Sequence, residues 1–413
     1  MKPIKLSFWG LFLLLSGLWL LADTLAPQPF NYFALRTVVM QYSGVLAIGA
    51  MSVALLLATR PRWLEPHLRG LDKMYRLHKW LGISALALSV LHWWWAQGTR
   101  WMVGWGWLVK PPRKPGPELP PESLEALLRG QRKLAEALGE WAFYAAVVLL
   151  ALALIRRFPY HLFYKVHKLM ALAYLVLAYH SLILIKFAYW SQPIGWVMAA
   201  LLLIGTLAVD IQLDAGWPGH QAGQFAFVTF HADEGPHPYT IASAWNPDSR
   251  RIVFITKALG DHTAELPTLL RQGSPVTVEG PYGCFDFEDG HARQIWIGAG
   301  IGITPFISRM QQLAQAGGPP PQIDLFHPTA DYSQAAIDKL TADAAAARIR
   351  LHILVSGKDG RLDGEHIRAK VPDWADASIW FCGPPAFGQA LRSDFEAHGL
   401  PTERFHQELF EMR

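Results

Sequence analysis

The chain of 413 residues is long enough for two or three domains, and at 52% hydrophobic and 17% charged it is too apolar for an ordinary soluble enzyme. Its formal net charge of +4 is mild and gathers at the ends of apolar runs, which sets membrane topology and leaves no footprint for a nucleic-acid partner. Two cysteines, Cys284 and Cys382, give neither a disulfide framework nor a thiolate metal site.

The apolar excess lies before residue 212, where several runs approach the roughly 20 residues needed to cross a bilayer. Six spans are predicted, at about 6–23, 36–58, 78–98, 140–156, 163–185 and 190–209. Lys2 and Lys5 ahead of the first apolar run resemble a signal peptide. Asp23 and a Pro-rich turn follow in place of a small-residue cleavage site, so this run is read as the first span. The loop between spans two and three holds Arg60, Arg62, Arg69, Lys73, Arg76 and Lys79, and the turn between four and five holds Arg156, Arg157, Lys165 and Lys168. Positive-inside bias then predicts an inner-membrane, multi-pass protein with both termini in the cytoplasm.

The long connection 99–139 runs against that bias, with Arg100, Lys110, Arg113 and Lys114 on the outer side. It is expected to contain an amphipathic helix from Glu122 to Leu138. Trp93, Trp94, Trp95, Trp101, Trp105 and Trp107 fit an interfacial belt, with an extended aromatic site as the alternative.

Four histidines stand out, because imidazoles inside a membrane span are costly and usually functional. His78 and His92 are fourteen apart in the third span, and His167 and His180 thirteen apart in the fifth. These spans run in the same direction, so His78 and His167 share the inner level and His92 and His180 the outer one. At 1.5 Å rise per residue the levels lie about 20 Å apart. Facing neutral imidazoles on parallel helices suit a six-coordinate haem iron, and the absence of acidic or thiol ligands in these spans disfavours zinc or copper. Local hydrogen bonding of each histidine is the plainer reading. A spacing of fourteen returns to nearly the same helix face, whereas thirteen falls short by over a third of a turn, which a local bulge or an off-centre haem must absorb.

These phrases resemble the ferric reductase and NADPH oxidase superfamily. The resemblance implies two b-type haems, the inner held by His78 and His167 and the outer by His92 and His180. Arg36, opening the second span, would pair with haem propionates or the acceptor, or simply anchor its helix. Eukaryotic oxidases often carry a further histidine four residues past the outer third-span ligand, where this chain has Ala96. Their oxygen chemistry therefore does not transfer directly.

The second half is polar and turn-rich. An alternating strand at Gln221–Phe230 is followed by His237-Pro-Tyr239-Thr240-Ile241, a strand at Ile252–Lys257, Leu259-Gly260-Asp-His-Thr263 opening a helix, and Glu279-Gly280-Pro-Tyr-Gly. Closely spaced strands with Gly/Pro turns predict a small antiparallel β-barrel over 210–290. The helix start near Thr263 suits a pyrophosphate, and Tyr239 and Thr240 offer a ring wall and a hydroxyl for a flat cofactor. In this order the phrases resemble the FAD domain of the ferredoxin-reductase family, with His237 where many members have arginine. The barrel's opening strand looks short or missing, and no lysine or arginine lies between Lys186 and Arg250.

Residues 291–413 read as an α/β nucleotide domain. A buried strand ends at Gly298, and Gly300-Ile-Gly302-Ile-Thr304-Pro305 leads into a helix whose N-terminus favours phosphate. With Cys382-Gly383-Pro384 after a later strand, this resembles the nicotinamide half of the same reductases. Ser356, Lys358 and Arg361 follow another strand and would grip a 2′-phosphate, favouring NADPH with NADH as the alternative; a solvated basic loop is the plainer reading. The resemblance gives Phe410 a place stacked on the flavin until nicotinamide displaces it, and Phe410 and Cys382 are read as the catalytic residues.

The fold expected is a six-helix haem-binding bundle (1–209), then the flavin barrel, then the nucleotide domain. The function expected is electron transfer from cytosolic NADPH through FAD and two haems to an outer acceptor, O2 giving superoxide. A ferric-chelate reductase or a relay to an extracytoplasmic protein or quinone is the alternative. No protein partner is required by these residues.

Overall fold

In the computed structural model the described residues are 2–112, 120, 122–155, 157–208, 216–231, 234–257, 261–319, 322–330 and 332–408. Contacts divide the chain into two units, Met1–Leu68 with Lys73–Asp214, and Arg69–Asp72 with Ala215–Arg413.

The first unit is helical: α1 (Lys2–Ala22), α2 (Tyr32–Ala58), α3 (Glu65–Leu68), α4 (Leu71–Gly104), α5 (Leu124–Gly130), α6 (Arg132–Leu154), α7 (Tyr160–His167), α8 (Leu169–Leu184) and α9 (Pro193–Ala208). Asn31 caps α2 by accepting from the Ala34 amide at 2.9 Å, satisfying one of the first-turn donors. Four stretches are long and apolar enough to cross a membrane: α1, α2, α6 and Leu162–Leu184; α9 is a shorter apolar helix. Helix α4 is the longest, but His92, Trp93, Trp94, Trp95 and Gln97 dilute its apolar stretch. Helix α6 lies along α8, and α2 along α9.

Two expectations are corrected here. The amphipathic segment Glu122–Leu138 is not one helix: it breaks at Gln131, and its second part is the start of α6. The fifth span is not one regular helix either. It changes course at Lys168, where the Ala171 amide donates back only three residues, to the Lys168 carbonyl at 3.1 Å. That tightened turn lies between His167 and His180 and takes up part of the thirteen-residue spacing.

The second unit holds two sheets. Strands β1 (Phe225–Thr229), β2 (His237–Thr240) and β3 (Thr277–Tyr282) form an antiparallel sheet in the order β2-β1-β3, with α10 (Asp261–Leu269) between β2 and β3 in the chain. Among the described residues this sheet is open, not the closed barrel expected. The predicted strand at Ile252–Lys257 is reduced to a single bridge, Phe254 to Ile241. No strand precedes Phe225 among the described residues.

The larger sheet is parallel. It comprises β4 (Arg293–Gly298), β5 (Gln322–Thr329), β6 (Arg350–Val355), β7 (Ser378–Cys382) and β8 (Phe405–Gln407), in the order β6-β5-β4-β7-β8. Helices α11 (Thr304–Ala316), α12 (Gln334–Ala347), α13 (Gly364–Lys370) and α14 (Pro385–Ala397) alternate with the strands. All six residues of β4 are buried, as a central parallel strand covered on both faces requires. Rings of Phe285, Phe287, Trp296, Phe306 and Trp380 fill one face. At the strand starts, buried Asp324 accepts from Arg293 at 2.6 Å, Arg350 at 2.6 Å and His352 at 2.7 Å, tying β4, β5 and β6 together.

Candidate functional sites in the two units

The helices bring the four histidines together in the predicted pairs. Ring centroids of His78 and His167 are 6.0 Å apart, and those of His92 and His180 are 6.3 Å apart, both pairs crossed at 74°. A metal–imidazole bond of about 2 Å on each side, plus roughly 1 Å from nitrogen to ring centre, gives a centroid separation of about 6 Å. Both pairs therefore have room for one metal ion between them.

Hydrogen bonds orient the rings. The Nδ1–H of His78 donates to the Ala54 carbonyl at 2.9 Å, and that of His180 to the Ala135 carbonyl at 2.8 Å. His92 Nδ1 lies 3.2 Å from Ser43 Oγ, whose own proton goes to the Val39 carbonyl at 2.6 Å, so here too the ring nitrogen donates. With Nδ1 occupied, Nε2 keeps its lone pair, the arrangement in which metal-ligating histidines are usually held. The buried Nδ1 of His167 makes no hydrogen bond among the described residues.

A cavity with about 1480 Å³ of free space, part of it open to the outside, adjoins His92 and His180. Small residues line it, among them Gly44, Ala47, Ala85, Ser89, Gly139 and Ala146. A Cβ on Gly139 would sit 1.9 Å from His180 Nδ1, so only glycine lets α6 approach that ring. Neither Gly44 nor Gly139 was marked by the sequence; their role follows only from the packing. Arg36, Arg100, Arg132, Glu136 and Glu140 line the same cavity. Arg132 pairs with Glu136 at 3.1 Å and Arg100 with Glu140 at 3.5 Å, whereas the buried Nε of Arg36 makes no hydrogen bond among the described residues.

In the second unit, strand order reverses between β4 and β7, the place where open α/β sheets bind ligands at the carboxyl ends of the strands. Gly298 and Cys382 are register partners there, so the loop bearing Gly300 and Gly302 meets the one bearing Gly383 and Pro384. Gly300 has φ +55° with open space around it, a backbone that resists other side chains. Gly302 has a different reason: a Cβ would lie 2.2 Å from the Cys382 carbonyl oxygen.

Pro305 sits in the first turn of α11. Thr304 is buried, and its hydroxyl donates to the Ile301 carbonyl at 2.7 Å, so it shapes the turn rather than facing a ligand. Cys382 is 3% exposed, and burial pushes its thiol far up, so it is neutral and walls the crevice without acting as a thiolate.

Ser356, Lys358 and Arg361 follow β6, and the Ser356 amide donates to the Thr329 carbonyl at 2.9 Å. The Lys358 ammonium lies 4.6 Å from the ring of Tyr332, a 55% exposed aromatic that sequence reasoning passed over.

In the smaller sheet, His237, Tyr239 and Thr240 all lie on β2. Tyr239 is 8% exposed, its hydroxyl 2.9 Å from His262 Nε2, and burial with the Glu234 carboxylate pushes it up to about 12. Ile241 is fully buried and its amide donates to the Gln224 carbonyl at 3.0 Å, a core position with no free polar group. Gly280 holds φ +149° against Ala226 on β1. Thr263 lies in the first turn of α10. Gly260 and Phe410 lie outside the described residues.

Comparison with known proteins supports both halves. The family described as ferric reductase like transmembrane component matches residues 43–178, which contain His78, His92 and His167 and stop two residues short of His180. The glycine betaine monooxygenase reductase subunit of Pseudomonas aeruginosa is 24% identical over 202 residues, 46% of this chain and 55% of that one. The flavohemoprotein of Deinococcus radiodurans is 27% identical over 248 residues (53% and 61%), and the toluate 1,2-dioxygenase electron transfer component of Pseudomonas putida 27% over 198 residues (46% and 58%). The chain thus spans little more than half the length of these relatives. It is similar to a ferric reductase like transmembrane component over residues 43–178 and, over about half its length, to flavohemoproteins and oxygenase reductase components, a combination that supports a ferric reductase/NADPH oxidase-like architecture.

Proposed function

We propose that this chain transfers electrons across the inner membrane, from cytosolic NADPH by way of FAD and two b-type haems to an acceptor outside, most simply O2 giving superoxide. The observation that carries this reading is the pair of matched imidazole couples at 6.0 and 6.3 Å. On it, 1–209 is a six-span haem domain, 210–290 binds FAD as a small barrel, and 291–413 binds the nucleotide. FAD supplies the conversion of a two-electron donor into single-electron steps, and bis-imidazole haem supplies a one-electron carrier without an open iron position.

The protein's own residues hold, orient and insulate. His78 with His167 and His92 with His180 would ligate iron through Nε2, with Ala54, Ala135 and Ser43 setting the tautomer of three of them. Gly139 keeps the outer couple's flank open, with Gly44 in ordinary contact with His92. Gly300 and the α11 N-terminus would receive the dinucleotide phosphates, Tyr332 and Lys358 its adenosine end, and Tyr239 would flank the flavin. An acceptor such as O2 reaching the cavity beside His92 and His180 would take single electrons from haem held by both imidazoles.

Reduction of a ferric chelate is the second reading, and one observation favours it: Arg36 lines the cavity beside the outer pair with a buried Nε that makes no hydrogen bond among the described residues, while Arg100 and Arg132 there are paired with Glu140 and Glu136, and Arg36 suits an anionic complex. The purified full chain, given NADPH and FAD without oxygen, should develop reduced b-type absorbance. Oxygen or ferric citrate is then added separately. Superoxide on the first addition supports the oxidase, and ferrous iron under anaerobic conditions supports the reductase. Haem that stays oxidised under NADPH and FAD defeats the proposal.

A further inference from the structure

The larger sheet places an imidazole beside the glycine turn that the reading above leaves unused. His327 lies near the carboxyl end of β5, one residue past Phe326, the register partner of Ile297 on β4. Alternation along a strand puts its side chain on the face of Ile323 and Leu325. Those two pack with Ile303, which ends the turn Gly300–Ile303, and with Phe306 and Met310 of α11. The turn itself packs against β5. His327 is therefore on the α11 side of the sheet, at the strand ends where the dinucleotide phosphates would be received.

One ring nitrogen is committed and the other is not. A carbonyl can only accept, so the 2.7 Å contact between His327 Nδ1 and the Gly298 carbonyl puts a proton on Nδ1. Burial pushes the ring below its ordinary value, against the opposing pull of that bond, so the imidazole is neutral near pH 7. The half-buried ring is left with a lone pair on Nε2 and no partner for it among the described residues. It is an acceptor that lacks a donor. Strand order points to what would supply one. Strand β5 lies between β4, which leads into the glycine turn, and β6, which leads to Ser356 and to Lys358 beside Tyr332. In a dinucleotide the group between pyrophosphate and adenine is the adenosine ribose. Ionised phosphate oxygens have no hydrogen to offer a lone pair, whereas ribose hydroxyls do.

We propose that His327 binds the adenosine ribose of the nicotinamide dinucleotide, its Nε2 accepting from a ribose hydroxyl while its Nδ1–H holds the ring to the Gly298 carbonyl. The proposal rests on the nucleotide reading and names a residue for the stretch between the phosphate turn and the adenine end. The two hydroxyls differ in consequence. The 3′-hydroxyl is present in NADH and NADPH alike. The 2′-hydroxyl is free only in NADH, so an acceptor for it opposes the preference that Lys358 and Arg361 would give.

The test titrates the purified full chain calorimetrically with ADP, the portion that NADH and NADPH share, and with 2′-deoxy-ADP and 3′-deoxy-ADP. At least one deoxy compound should bind the wild-type chain about fivefold more weakly than ADP. In His327→Asn the side-chain amide can still donate to Gly298 but offers nothing at the Nε2 position, so ADP and that deoxy compound should bind alike. His327→Gln, whose amide oxygen can stand at the Nε2 position, should restore part of the difference. The compound that shows the loss tells the 2′-hydroxyl from the 3′-hydroxyl, and either supports the proposal. A difference that persists unchanged in His327→Asn assigns the hydroxyl to another residue, leaves His327 a merely structural role and overturns the proposal. Two deoxy compounds that bind the wild type as tightly as ADP sink the His327 assignment alone, with no variant needed. A chain that binds no ADP removes the nucleotide reading with it.

Discussion

Gly139 and His180 show how closely the outer site is built at the level of single residues. The ring needs the space that a Cβ on Gly139 would fill at 1.9 Å, and its Nδ1–H needs the Ala135 carbonyl one turn earlier on the same helix. On the proposed function, Gly139→Ala should therefore displace His180 and lower haem from the two per chain proposed toward one, as read by the pyridine haemochrome assay. Haem content equal to wild type would remove the glycine from this role. Asp324 carries a different weight. Three cationic or proton-bearing partners hold its buried carboxyl well below the usual carboxylate range. A depressed carboxylate contributes stability above its unfolded value near 4 and loses it as pH falls through the folded one. Asp324→Asn should cost about 1.5–3 kcal/mol, because Arg293 keeps its ion pair with Asp373 at 2.8 Å while the charged hydrogen bonds to position 324 are weakened. Thermal melts of the variant and wild type should converge as pH drops below about 4; a constant difference would assign the loss to packing.

At the scale of elements, the fifth span is the instructive case. A regular helix would leave His180 more than a third of a turn from the face of His167, yet both rings meet partners on α4. The tightened turn at Lys168 supplies part of the correction, about 20° per tightened residue. Insertion of one alanine after Lys168 should rotate His180 by about 100° and uncouple it from His92. The expected readout is loss of the outer haem with the inner one retained, seen as halved b-type absorbance. Full absorbance would mean that the turn can shift to absorb the extra residue. Histidine spacing announced this problem in the sequence, but no propensity at Lys168 revealed its solution. The break at Gln131 was equally hidden, since Glu122–Leu138 carries one continuous helical pattern that tertiary packing of α6 against α8 divides.

For the whole molecule, the division into a helical unit and an α/β unit was legible from where apolar runs stop, and that boundary sets how the two sites are tested. On the proposed function, replacing Lys358 and Arg361 by alanine should raise the KM for NADPH roughly tenfold while leaving that for NADH nearly unchanged, because each would remove a charge proposed to face the 2′-phosphate. Equal losses with both nucleotides would make them ordinary solvated residues. Hydrophobic periodicity, histidine spacing and glycine-rich turns depend on neighbours within a few residues, so the sequence alone determined the helical half, the four histidines and the nucleotide loops. Distances between residues far apart in the chain depend on how elements pack. Only the tertiary structure decided that Gly139 makes room for His180, that Thr304 and Ile241 turn into the core, and that His237 stacks on His262 beside Glu234. Steric exclusion and paired charge act through space, and no local pattern records them.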